Sequence, residues 1–326
     1  MPATIDPERW LEFLRTEYLE SFIHDGGASI KFAVPLDEHL REEIENGISG
    51  HAINAGYIVV RISSAVTRVH MIDQLFFRVA EQIPWRQLSR NVIVKLAKEE
   101  GYAIPTERNP EPMAQSLAAV NGLDPGMLTM QALRWISSHV FGQQSLAHDF
   151  RFAVTQLCQA ELSGGPDGDT MVEVITDWLT GRNQAISAVK PYGIFSRVTR
   201  SNARHLFESL LQWVRFAGYP GAVVILDVSR VTIARNPRDD LLFYTKAAMF
   251  DAYEVLRQFI DATDRMKGCL IIVTPSLDFL DIEPFGRGMG AYNALKLRVY
   301  DEIRDQRLVN PMSALVRLSQ ERDGRG

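Results

Sequence analysis

One stretch, Ala222-Val-Val-Ile-Leu-Asp227, decides the fold class of this 326-residue chain. Five consecutive apolar residues are typical of a strand that is buried on both faces of a parallel sheet. A second strand of this kind, Cys269-Leu-Ile-Ile-Val-Thr274, follows a segment with helical spacing over residues 240–264. A strand, a helix and a strand in this order predict an α/β fold with a parallel sheet.

Outward from this unit, two more strands are predicted over residues 30–34 and 56–62, with a helix over residues 36–55 between them. The stretch from Val69 to Thr180 is predicted to be entirely helical, because its apolar residues recur at helical spacing. We therefore expect residues 1–66 and 191–326 to form two parts of one α/β core. Residues 67–190 are predicted to be a large helical insertion or subdomain.

The composition is that of an ordinary soluble globular protein, with 46% hydrophobic and 23% charged residues. A net charge of −5 gives no global basic field for nucleic acid, although local basic patches remain compatible with it. No apolar run approaches the roughly 20 residues that span a bilayer. The seven histidines and two cysteines lack metal-ligand spacing. We expect a cytoplasmic protein with no membrane partner and no metal site.

Asp227 stands where a Walker B aspartate would meet Mg²⁺ through water, at the end of a buried strand. Strands also end in Asp for capping reasons, so a structural role is the alternative. The next residue is Val228, which can neither accept a proton nor orient an attacking water. Thr274 ends the following strand and fits either a sensor of phosphate or a capped strand end.

If Asp227 is a Walker B aspartate, a phosphate-binding loop should follow the first strand of the sheet, but the sequence has none there. The strand Ser29-Ile-Lys-Phe-Ala-Val34 is followed by Pro35-Leu-Asp-Glu-His-Leu-Arg-Glu42. A working loop has the pattern G-x-x-x-x-G-K-[ST], in which glycines let backbone N–H groups surround phosphate. Here there is no glycine, and three acidic side chains stand where a polyanion would bind. The sequence therefore predicts that ATP is not hydrolysed.

Several segments of the C-terminal half resemble the ATP-binding protein family of the BREX phage-defence systems, in its BrxC/BrxD-type P-loop domain. The resemblance implies a P-loop NTPase core of AAA-like type. It also implies a C-terminal lid beyond the apolar segment 314–318, which we expect to be missing here. The segments that carry it are residues 193–207, 211–227, 253–264, 270–279 and 288–295, with Asn310-Pro-Met-Ser313.

The resemblance also fixes a register for the degenerate nucleotide-binding positions. On it, Pro35 replaces the first glycine of the family motif, Arg41 replaces the lysine and Glu42 replaces the Ser/Thr. The family's Asp-Glu pair after the Walker B strand becomes Asp227-Val228. We therefore expect a pseudo-ATPase with no bound cofactor, with weak binding of ATP or ADP with Mg²⁺ as the alternative.

The expected function is that of a catalytically inactive structural or regulatory subunit of a bacterial anti-phage or DNA-modification system. Its expected partners are other defence proteins, an active P-loop paralogue among them, in a homo- or hetero-oligomer. One alternative is a nucleotide sensor or weak ATPase of the same family. Another is a DNA-binding accessory protein that uses the basic segment with Arg197, Arg200 and Arg204.

A partner contact is expected at the carboxyl edge of the parallel sheet. The segment that follows the strand 269–274 is apolar and interrupted by glycines. We expect an apolar surface there around Phe279, Leu280, Phe285 and Met289, with Arg287 beside it. Contiguous exposed apolar surface usually marks an interaction site. This edge is therefore the predicted site of self-association or of binding to another subunit.

Overall fold

The computed structural model describes residues 4–106, 112–300 and 310–320. Its strands are β1 (Ala28–Pro35), β2 (Ile58–Ser63), β3 (Ala222–Asp227), β4 (Cys269–Thr274) and β5 (Leu315–Leu318). Its helices are α1 (Pro7–Phe13), α2 (His39–Asn54), α3 (Ile72–Ala80), α4 (Trp85–Glu99), α5 (Met113–Asn121), α6 (Pro125–Trp135), α7 (His148–Ser163), α8 (Gly165–Leu179), α9 (Ile186–Val189), α10 (Ala203–Phe216), α11 (Lys246–Asp261) and α12 (Asn293–Val299).

The five strands form one parallel sheet in the order β2-β3-β4-β1-β5. The predicted α/β class with a parallel sheet is confirmed, and β3 and β4 have the bounds that their apolar runs predict. Strand β5 was not predicted, because four residues that include Arg317 give too short a signal. Its pairing with β1, from Phe32↔Leu315 to Pro35↔Leu318, makes it a strand.

The N-terminal segment consists of α1 and a π-helical continuation, Leu14–Phe22. The Asp6 side chain caps α1 by accepting bonds from the backbone N–H groups of Glu8 and Arg9. This segment and α2 pack on the sheet in a cluster of buried apolar residues. The cluster includes Trp10, Leu14, Ile23, Ala33, Ile44, Ile48, Val223, Ile225, Leu270 and Ile272.

The chain divides into two compact units, residues 1–79 with 219–326, and residues 80–218. The first unit holds the sheet. The second is built from helices α4 to α10, and the helices of the predicted all-helical stretch from Val69 to Thr180 are confirmed as α3 to α8. The predicted segment boundaries at residues 66/67 and 190/191 stay predictions. Among the described residues, no helix combines the length and apolar character that crossing a bilayer requires.

Lys31 is an unusual residue for the middle of a central strand, because its side chain is only 3% exposed. Its Nζ donates hydrogen bonds to the backbone carbonyls of Met312 and Ser313, just before β5. It also lies 4.7 Å from the centre of the Tyr18 ring. Burial lowers the pKa of this ammonium to about 8. Lys31 thus ties the approach to β5 to strand β1.

Protein stability should therefore rise with pH between about 8 and the usual lysine value of 10.5. In this window the unfolded chain binds the Lys31 proton more tightly than the folded chain, so deprotonation favours folding. Across this window we expect the free energy of unfolding of the wild type to rise by about 3 kcal/mol more than that of Lys31→Met, since each pKa unit between 8 and 10.5 is worth about 1.4 kcal/mol. Urea titrations across this range would measure it. Parallel pH profiles for the two proteins would contradict the prediction.

Candidate functional site

Three neighbouring strands end in polar residues at the same level of the sheet. Ser63 of β2 is in register with Asp227 of β3, and Asp227 is in register with Thr274 of β4. Parallel strands bring their carboxyl ends to one edge, which is where open α/β sheets bind ligands. Asp227 and Thr274, both predicted site residues, are therefore brought together, and Ser63 joins them.

The Asp227 carboxylate is held by groups of its own chain. Its Oδ2 accepts a bond of 2.8 Å from the Ser63 hydroxyl, and its Oδ1 accepts one of 2.8 Å from the Ser229 N–H. The Asp227 side chain is 17% exposed. These contacts link Asp227 to the end of β2 and to the turn after β3.

Arg41 extends from the first turns of α2 into this edge of the sheet. Its Nη1 donates a 2.6 Å bond to the Thr274 carbonyl and lies 3.6 Å from Asp227 Oδ1, while its Nη2 donates a 3.0 Å bond to the Pro275 carbonyl. The side chain is 13% exposed. Glu38, one turn earlier, pairs with the guanidinium at 2.9 Å. A cation thus lies between the Walker B-like aspartate and the turn after β4.

Glu45 was not among the predicted site residues. It lies one turn after Arg41 on the same side of α2, and its Oε1 accepts a 2.7 Å bond from the Thr274 hydroxyl. Burial raises the pKa of Glu45, and the charge of Asp227 adds to this rise. The spacing of Arg41 and Glu45, four residues apart, places both on one side of the helix, but it does not show that this side faces the sheet.

The connection from β1 to α2 spans only residues 36–38, and its backbone donors are used locally. The N–H of Leu36 donates to the Leu318 carbonyl, and that of His39 donates to Asp37 Oδ1 at 3.0 Å. The N–H groups of Leu40 and Arg41 donate to the carbonyls of Asp37 and Glu38. These are the first-turn amides that would surround a phosphate in a nucleotide-binding loop.

The remaining degenerate positions differ in their exposure. Pro35 ends β1 and is buried, whereas Glu42 is exposed on α2. Val228 is 2% exposed, and its N–H donates to the Thr274 carbonyl that Arg41 also contacts. Within the described residues, no group of three or more His, Cys, Asp or Glu side chains is arranged to hold a metal ion.

The predicted contact residues of the apolar edge have different environments. Phe285 is 91% exposed, but Phe279 and Met289 are both 0% exposed, which corrects the expectation that they lie on the surface. The Arg287 Nη2 donates to the backbone carbonyls of Val231 and Tyr244 at 3.0 and 2.7 Å. Its guanidinium therefore joins loops of the sheet unit, and burial lowers the pKa of Arg287.

The basic segment lies in the other compact unit, before and at the start of α10. Arg197 and Arg200 are exposed, and the Arg204 Nε lies 3.9 Å from Glu208 Oε1. Arg204 therefore has an acidic neighbour on its own helix. The role of all three in contacts with phosphate or a partner stays a prediction.

A protein-family model described as BREX system ATP-binding protein BrxC/D matches residues 127–323, which is more than half of the chain. The matched range contains Asp227, Val228 and Thr274, while Arg41 precedes it. No curated protein and no solved structure matches the chain.

Proposed function

The chain belongs to the BrxC/D family of BREX system ATP-binding proteins, and from that premise we propose that it is a phage-defence subunit that does not turn over ATP. In this proposal the parallel sheet is a P-loop-like, AAA-like core with a degenerate nucleotide site. Its role is structural or regulatory, within a complex of other defence proteins. The position of Arg41 is the observation that carries the proposal.

Arg41 supports the proposal because it already makes the contacts that a ligand at this edge would have to displace. Its guanidinium is bonded to the carbonyls of Thr274 and Pro275 and lies 3.6 Å from Asp227. If Arg41 moved out, the Asp227 carboxylate, whose side chain is 17% exposed, would lose its cationic neighbour. Separating a largely buried charge from its partner costs several kcal/mol, on the order of 3.

The loop between β1 and α2 supports the same conclusion through its hydrogen bonds. Strong phosphate sites need several backbone N–H groups aimed at the anion and not only a positive charge. The amides of His39, Leu40 and Arg41 instead donate within their own loop and first helical turn. The exposed acids Asp37, Glu38 and Glu42 would also repel a polyphosphate. These residues do not fit a nucleotide with Mg²⁺.

Val228, the residue after Asp227, supports the absence of hydrolysis whether or not ATP binds. A carboxylate there would accept a proton from, or orient, the attacking water. Val228 has no polar side-chain atom and is 2% exposed in the core. Any ATP that bound weakly at this edge would therefore meet no general base at that position.

We expect no Mg-ATP hydrolysis and no thermal stabilisation of the purified chain by millimolar Mg-ATP. A ligand at 100 times its dissociation constant stabilises the folded state by about 2.7 kcal/mol, which melting curves detect readily. Isothermal titration calorimetry should likewise give no heat of binding. Asp227→Ala is the matched control, because activity from a contaminating ATPase would survive this substitution.

Two outcomes would contradict this proposal in different ways. Hydrolysis that disappears in Asp227→Ala would show an active enzyme. Saturable binding without turnover would favour the alternative of a nucleotide sensor.

A further inference from the structure

The basic segment, residues 193–204, lies in a part of the chain where positive charge is concentrated. From residue 178 to residue 207 the sequence carries five residues that are arginine or lysine and no acidic residue, although the whole chain has a net charge of −5. Arg197 and Arg200 are exposed, and the Arg204 side chain is 41% exposed. Cations clustered on a chain of acidic balance indicate a local surface for a polyanion.

Two acidic side chains contact the segment, and both are largely covered. Asp149 Oδ2 accepts a 2.8 Å bond from the Ser196 N–H and a second bond from the Ser196 hydroxyl, and the Asp149 side chain is 11% exposed. The Glu208 side chain, which lies 3.9 Å from Arg204, is also 11% exposed. The acids are therefore recessed, whereas the arginines reach into solvent.

Hydrogen bonds and buried side chains hold the segment in one shape. The Asn202 side chain donates a 2.9 Å bond to the Arg197 carbonyl and accepts one of 2.8 Å from the Thr199 N–H. Ile194 and Val198 are 0% and 6% exposed and anchor the segment in the core. A surface that is already ordered loses less entropy when it binds a ligand, so its arginines are preorganised.

Aromatic side chains accompany the arginines. Phe195 is 58% exposed and stands two residues before Arg197. A Cβ at Gly193 would lie 2.4 Å from Phe152 Cδ1, so the Phe152 ring lies directly against the start of the segment. The ring centres of Phe152 and Phe141 are 4.8 Å apart. An exposed aromatic ring with cations beside it is the combination that binds unpaired bases and their phosphates.

We propose that the basic segment binds single-stranded nucleic acid without reading its sequence. Arg197, Arg200 and Arg204 contact phosphates, and Phe195 stacks on an unpaired base. A duplex fits this surface less well, because its bases are already stacked and its major groove admits a helix or a β-ribbon. The segment is instead a loop that is fastened to its own compact unit.

Fluorescence anisotropy with labelled oligonucleotides of about 20 nucleotides, longer than one binding site, tests the proposal. Oligo(dT) or oligo(rU) should bind the full chain with a dissociation constant on the order of 10 μM at low salt. Binding of either strand supports the proposal, and the ratio of their affinities distinguishes DNA from RNA. A duplex of the same length should bind more weakly, because Phe195 finds no unstacked base there.

The arginines and the aromatic ring should have separable effects. Arg197→Gln with Arg200→Gln should raise the dissociation constant about 10-fold and lower the slope of its logarithm against log salt by about 1.4, since each single-strand phosphate contact contributes about 0.7. Phe195→Leu should raise the dissociation constant about 10-fold and leave that slope unchanged. Lys98→Gln with Lys267→Gln is the matched control, because it removes the same charge from exposed residues elsewhere and should change neither quantity.

No binding of either single strand at about 100 μM protein would overturn the inference and leave a protein partner as the occupant of this surface. A duplex that binds as tightly as the single strands would also overturn it, as would an equal loss of affinity in the lysine control. Melting curves should show every variant folded. None of these outcomes depends on ATP, so failure here leaves the proposed loss of ATPase activity untouched.

Discussion

Replacing Arg41 by methionine is expected to lower the free energy of unfolding by about 3 kcal/mol, the lower end of the range for breaking a largely buried ion pair. Methionine keeps much of the apolar volume but removes the cation beside Asp227 and the donors to the carbonyls of Thr274 and Pro275. The Asp227 carboxylate would then keep only its contacts with Ser63 and Ser229. Equilibrium urea unfolding measures the change.

A double-mutant cycle separates the ion pair from general packing damage. Asp227→Asn in the Arg41→Met background should recover part of the loss, because no uncompensated charge then remains. Arg61→Met is the matched control: this exposed arginine also bonds to α2, through Ser49 and Asn46, and its loss should cost less than about 1 kcal/mol. If Arg41→Met and Arg61→Met lower the free energy of unfolding equally, the contacts of Arg41 do not contribute more than those of an exposed arginine, and the prediction is wrong.

Gly221→Ala is expected to have the largest effect, a destabilisation of more than about 4 kcal/mol, which few single substitutions reach. A Cβ at Gly221 would lie 1.9 Å from the Gly268 carbonyl oxygen. That oxygen is fixed, because it accepts the N–H of Ala222 at the point where β3 and β4 begin to pair. The clash can be relieved only by separating two central strands.

Gly218→Ala provides a control in the same turn. Gly218 has φ of 91°, but a Cβ there would meet nothing within 4 Å. Only backbone strain is introduced, at a cost on the order of 1 kcal/mol. Thermal melts of the two variants and the wild type would compare them. Similar melting temperatures for Gly218→Ala and Gly221→Ala would contradict the steric argument.

Much of the fold was predictable because burial on both faces leaves a clear signal in the sequence. Strands β3 and β4 coincide with uninterrupted apolar runs that end in Asp227 and Thr274, and a parallel sheet follows from the helices between strands. Strand β5 left no comparable signal. Its four residues are identified as a strand only by pairing with β1, which is distant in sequence.

Some features of the candidate site could also be predicted from the local sequence. The absence of glycine after β1 and the pair Asp227-Val228 can be seen without coordinates. Local sequence could not predict that Glu45 turns inward to Thr274, because a helix with charges on several faces does not show which face packs. Local sequence also misled at Met289, because its flanking glycines suggested an exposed loop although its side chain is fully buried.

The sequence by itself therefore determined the α/β class, the two central strands and the loss of the phosphate-binding pattern. Only the tertiary structure decided what takes the place of that pattern. Arg41 reaches the Thr274 carbonyl because β1 pairs directly with β4, which brings the start of α2 beside the end of a strand more than 200 residues later in the chain. Such a contact depends on the order and register of the strands, and these are set by the packing of the whole sheet and not by any local run of residues.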